Sequence, residues 1–447
     1  MDKDIFINLI FEKAKQKNIE EFEIYFLSGA STSLKIYDGK IDNFSNNQNQ
    51  GISFRGKFNG KMGYSYTESF TEEDALFLIN EAKENASIIE SDDEQIIYDG
   101  KGTYVPVNTY NSSIENIEIP QIENFLINME KEAKSFDSRI KKVSTCMFGM
   151  GKSERIIKNS KGVNLKDKGN IIYTYISVNA EENGVIKTGS DFKVGRIFND
   201  FDYKEISHNA VKNAVSKLDT TSKELKESKC IIENLAFTSL LDNMMGIFSA
   251  EAVQKGVSLL KNRLGEKIAS NKVSLVDNPH LENGDGSSSF DSEGVPTKYK
   301  ELISDGILKT YLYNLKTAKK DGVESTGNAS KGGYKGTIGI STFNLYVKNG
   351  NKNFDTLLKE INTGVLITNF AGLHSGLNSI SGDFSLAGEG FIIENGKKGK
   401  ALNQITIAGN FFELLKDIEE IGNDIKFSLS GTGSPSILIK KLHFSVD

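Results

Sequence analysis

Apolar positions in the opening stretch MDKDIFINLIFEKAKQKN recur at helical spacing, with Phe6, Leu9, Ile10 and Ala14 on one side. That is the period of a helix covering a sheet. The period then falls to two. Phe22–Leu27, Ser33–Tyr37, Gly51–Phe58 and Lys61–Tyr66 alternate or cluster β-formers, and Asp38-Gly39 and Asn59-Gly60 are dipeptides suited to tight hairpins, so an antiparallel meander is expected. Thr71 opens a second helix, Glu72–Ala86, with acids in its first turn and Leu76, Ile79 and Ala82 at helical spacing.

The same order returns. A helix over Ile122–Ser135 is followed by strands near Lys141–Phe148, Glu154–Asn159 and Ile171–Asn179 and by a helix over Tyr203–Leu218. Gly63–Phe70 before Thr71 parallels Gly195–Phe201 before Asp202, each a strand end, a Phe and an N-cap. The repetition reads as an internal duplication, against the alternative that a β-meander plus helix recurs by chance.

The polar run DTTSKELKESK at Asp219–Lys229 marks a boundary, dividing the chain into an N-terminal α+β domain at 1–222 and a C-terminal β-rich domain at 223–447. The latter leads with a helical stretch over Leu235–Leu264, broken near Gly246 or Ser249, whose apolar face runs from Leu240, Leu241 and Met244 to Val253, Val257 and Leu260. That face is expected to be core, with a partner contact through Phe237, Met244, Met245 and Phe248 as the alternative. Thr337–Val347, Gly364–Asn369, Gly390–Glu394, Gln404–Ala408, Ile425–Leu429 and Ser436–Leu442 then read as strands of a barrel or sandwich. The fold class expected is α+β.

Composition narrows the function classes. A chain of 447 residues exceeds what one core serves. The 54 Lys and Arg against 60 Asp and Glu leave a net charge of -6 with no basic block, which disfavours direct nucleic-acid binding. Cys146 and Cys230 have no metal spacing and suit a reducing compartment, and neither a signal sequence nor a membrane-spanning apolar run is present, so a cytoplasmic protein is expected.

Candidate chemistry concentrates between Asp277 and Gly333. This stretch is too polar for core and too patterned for a linker: turn clusters at Asn283-Gly284, Asp285-Gly286, Asp305-Gly306 and Gly327-Asn328 alternate with short regular pieces. Asp277, His280, Glu282, Asp285, Asp291 and Glu293 are numerous enough to hold a hard cation, yet they miss the alternate spacing of a calcium loop. The histidines His208, His280, His374 and His443 lie far apart, and no HExxH or HExxxH occurs. Gly372-Leu373-His374-Ser375-Gly376 places its serine one position too late for a nucleophile elbow, and neither Gly327–Gly333 nor Gly431–Pro435 ends in the GK[ST] of a phosphate loop.

The runs DNPH, GSSSFDSEGVPT, DGILKTYLYNLKTAKK and STGNAS between Asp277 and Ala329 resemble the TldD/PmbA family, once called modulators of DNA gyrase. SGDFSLAGEGFIIENGK at 381–397 and ITIAGN at 405–410 are similar to the PmbA (TldE) type within it. The resemblance implies a heterodimeric TldD–TldE zinc-dependent peptidase whose TldD subunit carries a HExxxH helix, two His holding zinc and the Glu acting as base. The equivalent helix here, near Leu235–Ser249, reads LAFTSLLDNMMGIFS and offers neither His nor Glu.

The expectation is therefore a PmbA/TldE-type subunit with no cofactor in this chain, zinc belonging only to a TldD-like partner. Its partners would be that catalytic subunit or a second copy of itself, with a peptide or unfolded protein as substrate. The loops Asn278–Asp291, Ser325–Lys331 and Ser381–Gly390 are expected to wall a substrate chamber. Within them and nearby, Asn278, His280, Ser287, Ser288, Asp291, Thr326, Asn328, His374 and Asp383 are the candidate substrate- or partner-binding residues, none of them catalytic or metal-binding. Two other function classes stay open: a homodimeric peptide-binding or scaffold protein without catalysis, and a self-contained hydrolase using His280 or His374.

Overall fold

In the computed structural model, which describes residues 1–90 and 93–446, Asp2 caps the first helix, α1 (Lys3–Gln16), through a 2.8 Å bond to the amide of Asp4. Three strands follow: β1 (Phe22–Tyr37), β2 (Lys40–Phe58) and β3 (Lys61–Thr67). At both hairpins the turn pair is left-handed, with φ of 51° and 72° at Asp38-Gly39 and 48° and 84° at Asn59-Gly60. Those angles suit a two-residue turn whose twist matches the strands. Helix α2 (Glu72–Ser87) starts at a capping box between Thr71 and Asp74.

Helix α3 (Ile119–Phe136), strands β4 (Ile140–Asn159), β5 (Asn164–Glu182) and β6 (Val185–Gly195) and helix α4 (Tyr203–Val215) repeat that order. All six strands form one antiparallel sheet in the order β3-β2-β1-β4-β5-β6, so the two units meet at the β1/β4 pairing and mirror one another in connectivity. The likeness reaches single residues. A Cβ on Gly63 of β3 would lie 1.7 Å from the Ala82 carbonyl oxygen of α2, and one on Gly189 of β6 would lie 2.2 Å from the Ala214 nitrogen of α4. In each unit a bare glycine lets the helix backbone press onto the third strand. Gly63→Ala and Gly189→Ala are expected to cost about 1–3 kcal/mol or more each in urea unfolding, because backbone atoms must shift. Gly332→Ala, in open space, should stay within about 0.5 kcal/mol.

Several expected boundaries change. Phe22–Leu27 and Ser33–Tyr37 are one strand, as are Lys141–Phe148 and Glu154–Asn159, and β2 begins at Lys40 although residues 40–50 are almost all exposed. Pairing with long neighbours, rather than apolar alternation, holds those segments extended. In α2, Ala75 and Leu78 rather than Leu76 are buried beside Ile79 and Ala82.

In the second half, Gly364–Ala371, Glu227–Ile232, Ile437–Val446, Ile405–Asn410 and Asp383–Glu394 pair in that order, and the last pairs back to the first, closing a five-stranded barrel. A second sheet of short strands, including Leu275–Asp277, Lys300–Ser304 and Leu345–Val347, lies beside it. The fold is α+β. Thr337–Val347 is two strands rather than one, and only Lys426–Phe427 of Ile425–Leu429 is paired. Helix α5 (Asn234–Met244) runs into a 3-10 turn at Met245–Phe248 and a short helix at Ala250–Gln254. The expected continuation to Leu264 is absent: Gly256, Asn262 and Gly265 have φ of 74°, 62° and 82°, which no α-helix accommodates, and Val257 and Leu264 are exposed.

Phe237, Met244 and Phe248 are fully buried in the chain's own core, so the partner contact suggested for them is excluded. Met245 is half-buried and accepts from the Thr342 hydroxyl at 3.3 Å. Cys146 and Cys230 are both free and buried. Among the described residues no helix is long and apolar enough to cross a membrane.

Candidate functional site

The polar block at 277–333 is organised by three buried acids. Asp277 ends the strand Leu275–Asp277; its Oδ1 accepts from the Phe343 amide at 2.8 Å, and its Oδ2 accepts from Lys300 Nζ at 3.0 Å and Asn328 Nδ2 at 2.8 Å. Asp291 accepts from the backbone amides of Glu293 (2.8 Å), Val295 (3.0 Å) and Ala329 (2.9 Å), which clips the two loops together. Burial, and then the charge of Glu293, pushes its carboxyl up to about 7. Glu293 accepts from Arg55 Nη1 of β2 at 3.2 Å and from the Leu315 amide at 2.8 Å. Arg55 Nε in turn donates to Glu23 of β1 at 2.8 Å, so a buried acid–arginine–acid chain locks the loop block onto the N-terminal sheet.

Between the block and that sheet lies a cleft of about 720 Å³. Strands β1, β2, β4 and β5 supply one side and residues 285–288, 292, 329–331 and 341–343 the other. Arg155 of β4 crosses it: Nη2 donates to Ser288 Oγ (2.9 Å), the Phe290 carbonyl (3.1 Å) and Asp167 (3.2 Å), and the guanidinium stacks 4.4 Å from the Phe290 ring centroid. Lys331 projects from the short strand Ala329–Lys331, donates to Ser53 Oγ, and sits 4.6 Å from the centroid of Tyr25. Arg196 pairs with Asp285 at 3.4 Å. The lining thus holds four cations, Lys152, Arg155, Arg196 and Lys331, against the two carboxylates of Asp167 and Asp285.

Of the candidate substrate- or partner-binding residues only Ser287 and Ser288 line this cleft, together with Asp285 of the acids considered for a cation. Asp291, Thr326 and Asn328 stand behind its wall: Thr326 Oγ1 accepts from the Tyr313 amide at 2.7 Å and donates to Asn328 Oδ1 at 2.8 Å. Asn278 accepts from the His280 amide at 3.0 Å, and His280 Nε2 meets Thr297 Oγ1 at 3.0 Å, with burial and then the charge of Lys300 lowering its proton affinity. These groups shape the loops. His374 and Asp383 lie elsewhere. His374 is exposed on a four-residue helix; Asp383, capped by Ser381 and Asn410, borders a separate surface cavity with Ser375 and Ser385. Ser381–Gly390, expected as a loop, is mostly the barrel strand Asp383–Glu394.

Tyr25, Arg155, Asp167 and Arg196 were missed, because nothing local announces a cleft built between distant segments; Lys331 ends the loop Ser325–Lys331 that was expected as a wall, without being singled out. One signal existed. The chain has only five arginines, at 55, 139, 155, 196 and 263, and three of them, Arg55, Arg155 and Arg196, hold this junction. Arginine's planar set of donors suits such buried, multiply bonded positions better than the lysine that dominates elsewhere.

The acids proposed for a hard cation do not converge. Asp277, Asp285, Asp291 and Glu293 are each turned to the donors named above, and Glu282 is exposed. Among the described residues no three His, Cys, Asp or Glu come together. Helix α5 carries a single acid, Asp242, whose carboxylate accepts from Ser430 Oγ at 2.6 Å and from Thr432 Oγ1; its other side chains are amides, hydroxyls and apolar groups. A donor set without imidazole or thiolate does not fit zinc.

Sequence models of three PmbA/TldA metallopeptidase domains match in order: domain 1 at residues 22–86, the central domain at 112–218 and the C-terminal domain at 226–446. A metalloprotease PmbA homolog of Buchnera aphidicola subsp. Baizongia pistaciae is 33% identical over 320 residues, 71% of this chain and 68% of that protein. A Thermotoga maritima protein described as a candidate modulator of a DNA gyrase superposes with a TM-score of 0.93 at 32% identity, covering 99% of this chain and 100% of the other. TldE of Thermococcus kodakarensis shares the fold, with a TM-score of 0.89 at 24% identity over 98% of this chain and 99% of its own.

Proposed function

Because the chain belongs to the PmbA/TldD family of metallopeptidase-like proteins, we propose that it is a PmbA/TldE-type subunit, serving a zinc-dependent peptidase whose metal is carried by a TldD-like partner. The observation that supports this reading is the packing of α5, the segment expected from the resemblance to correspond to the family's metal helix. It presents Phe237, Leu240, Leu241 and Met244 to the core and ties its one carboxylate to two hydroxyls. Packing has taken the place of ligands. A metal-bound water needs fixed ligands and a carboxylate free to take its proton, and α5 supplies neither.

What the chain contributes is a surface for the substrate. The cleft between the N-terminal sheet and the loop block is bordered by strands, a setting in which an extended peptide is held mainly through its main chain. Such binding tolerates varied side chains, as a processing peptidase requires.

The test is reconstitution. The purified chain is expected to leave an unfolded test peptide intact, and a TldD-like subunit added at equal concentration should start hydrolysis that a chelator stops. Hydrolysis by the chain alone, or a TldD-like subunit that neither binds it nor gains rate from it, would overturn the reading; stable peptide binding without any such partner would favour the scaffold alternative.

A further inference from the structure

We propose that the cleft recognises a carboxylate, the free C-terminal carboxylate of a peptide, held at Lys331 with Arg155 across the Tyr25 ring. The inference rests on the peptide reading above and goes further, in assigning which chemical group of the peptide is bound and by what.

Lys331 is the first ground. Among the described residues no carboxylate pairs with its ammonium, whose hydrogen bond goes to the neutral hydroxyl of Ser53. The groups facing it are Glu23 and Tyr25 on β1, Arg55 on β2 and, beyond the Tyr25 ring, Arg155 on β4. Glu23 is bonded to Arg55 and Arg55 to Glu293, and neither acid is bonded to Lys331; Glu23 Oε2 and Arg55 Nη2 are left without a hydrogen-bond partner among the described residues. Burial draws the amine down to about 7, with Glu23 opposing and Arg55 adding to the effect. A buried ammonium with no carboxylate bonded to it, at the edge of a cavity, is placed to take an anion from outside the chain.

Arg155 is the second ground. Its bonds to Ser288, Phe290 and Asp167 and its stacking on Phe290 fix the guanidinium in place, and the Tyr25 hydroxyl lies within hydrogen-bonding reach of both Arg155 and Ser292. Tyr25 therefore sits between a pinned arginine and an unpaired lysine. The third ground is the field. The cleft has an excess of two formal positive charges in a chain of net charge -6, which concentrates an anion at this spot.

The experiment is calorimetric titration of the full chain with three forms of one short, N-acetylated peptide: the free acid, the C-terminal amide, and an amide with one internal glutamate. The free acid is expected to bind at least about tenfold tighter than the amide, one charge-assisted contact's worth. Lys331→Met should abolish that preference. The advantage should be full below about pH 7 and decline as pH rises above it, with protons taken up on binding near pH 8, because the bound carboxylate favours the ammonium. The comparison of free acid with amide, read on the unaltered chain, decides the matter even if Lys331→Met does not fold. Equal binding of acid and amide would overturn the carboxylate site and leave the peptide reading standing. Preference for the glutamate peptide over the free acid would overturn the C-terminus as its source. Failure of all three to bind would overturn both.

Discussion

Arg55→Met is expected to destabilise the protein by about 3–5 kcal/mol, the usual cost of removing one partner from a buried charge network. Glu23, Arg55 and Glu293 are 2%, 4% and 3% exposed, so water cannot replace the lost guanidinium. The two carboxylates left behind belong to different parts of the chain, β1 and the loop block, and both would have to take up protons to stay buried. Burial already raises the proton affinity of Glu23, with Arg55 the largest opposing influence. Removing Arg55 raises it further, so the variant's stability is highest at low pH and is lost as pH rises from the ordinary carboxylate range through the raised folded value. Urea unfolding at pH 5 and pH 8 measures this: the gap from the unaltered protein should be wider at pH 8. Glu23→Gln and Glu293→Gln added to Arg55→Met should recover part of the loss. A change below about 1 kcal/mol at both pH values would show that the junction does not hold the sheet and the loop block together.

Asp277→Ala should be nearly as damaging, again about 3–5 kcal/mol, and its effect should reach the cleft. Asp277 is fully buried and gathers Lys300, Asn328 and the Phe343 amide; without it a buried ammonium and two other donors lose their acceptor. Asn328 and Phe343 flank segments that line the cleft, so peptide affinity should fall together with stability. Hydrogen exchange would locate the change: faster exchange over residues 277–293 and 326–343, with β5 and β6 unchanged, is the expected pattern. Uniform acceleration over the whole chain would mean that Asp277 supports global stability only.

The α+β class, the start of α2 and the hairpins were readable because each depends on neighbours in sequence. Thr71 with Asp74 and the Asp-Gly and Asn-Gly turns act within a few residues. Strand length was not readable. Residues 40–50 have no apolar alternation and are extended only because β1 runs alongside them. The helix expected at 255–264 failed for the opposite reason: apolar spacing continued while Gly256, Asn262 and Gly265 had already turned the backbone. Of the site, the loop block was visible in its turn residues, and Ser287 and Ser288 do face the cleft. The side supplied by Tyr25, Arg155 and Asp167 was hidden, since a cleft between a sheet and a loop far along the chain leaves no local mark. His280, Asp291 and Asn328 look like site chemistry in sequence because polar residues that brace loops and those that bind ligands share one composition.

The central claim is that packing has replaced the metal ligands in this chain. Its most direct test is zinc stoichiometry: the purified chain dialysed against excess zinc, then against metal-free buffer, and analysed for bound metal beside a TldD-like subunit treated in the same way. The account predicts zinc far below one per chain here and close to one per chain in the TldD-like subunit. One zinc per chain retained by this protein, with peptide hydrolysis by the chain alone that a chelator abolishes, would contradict it.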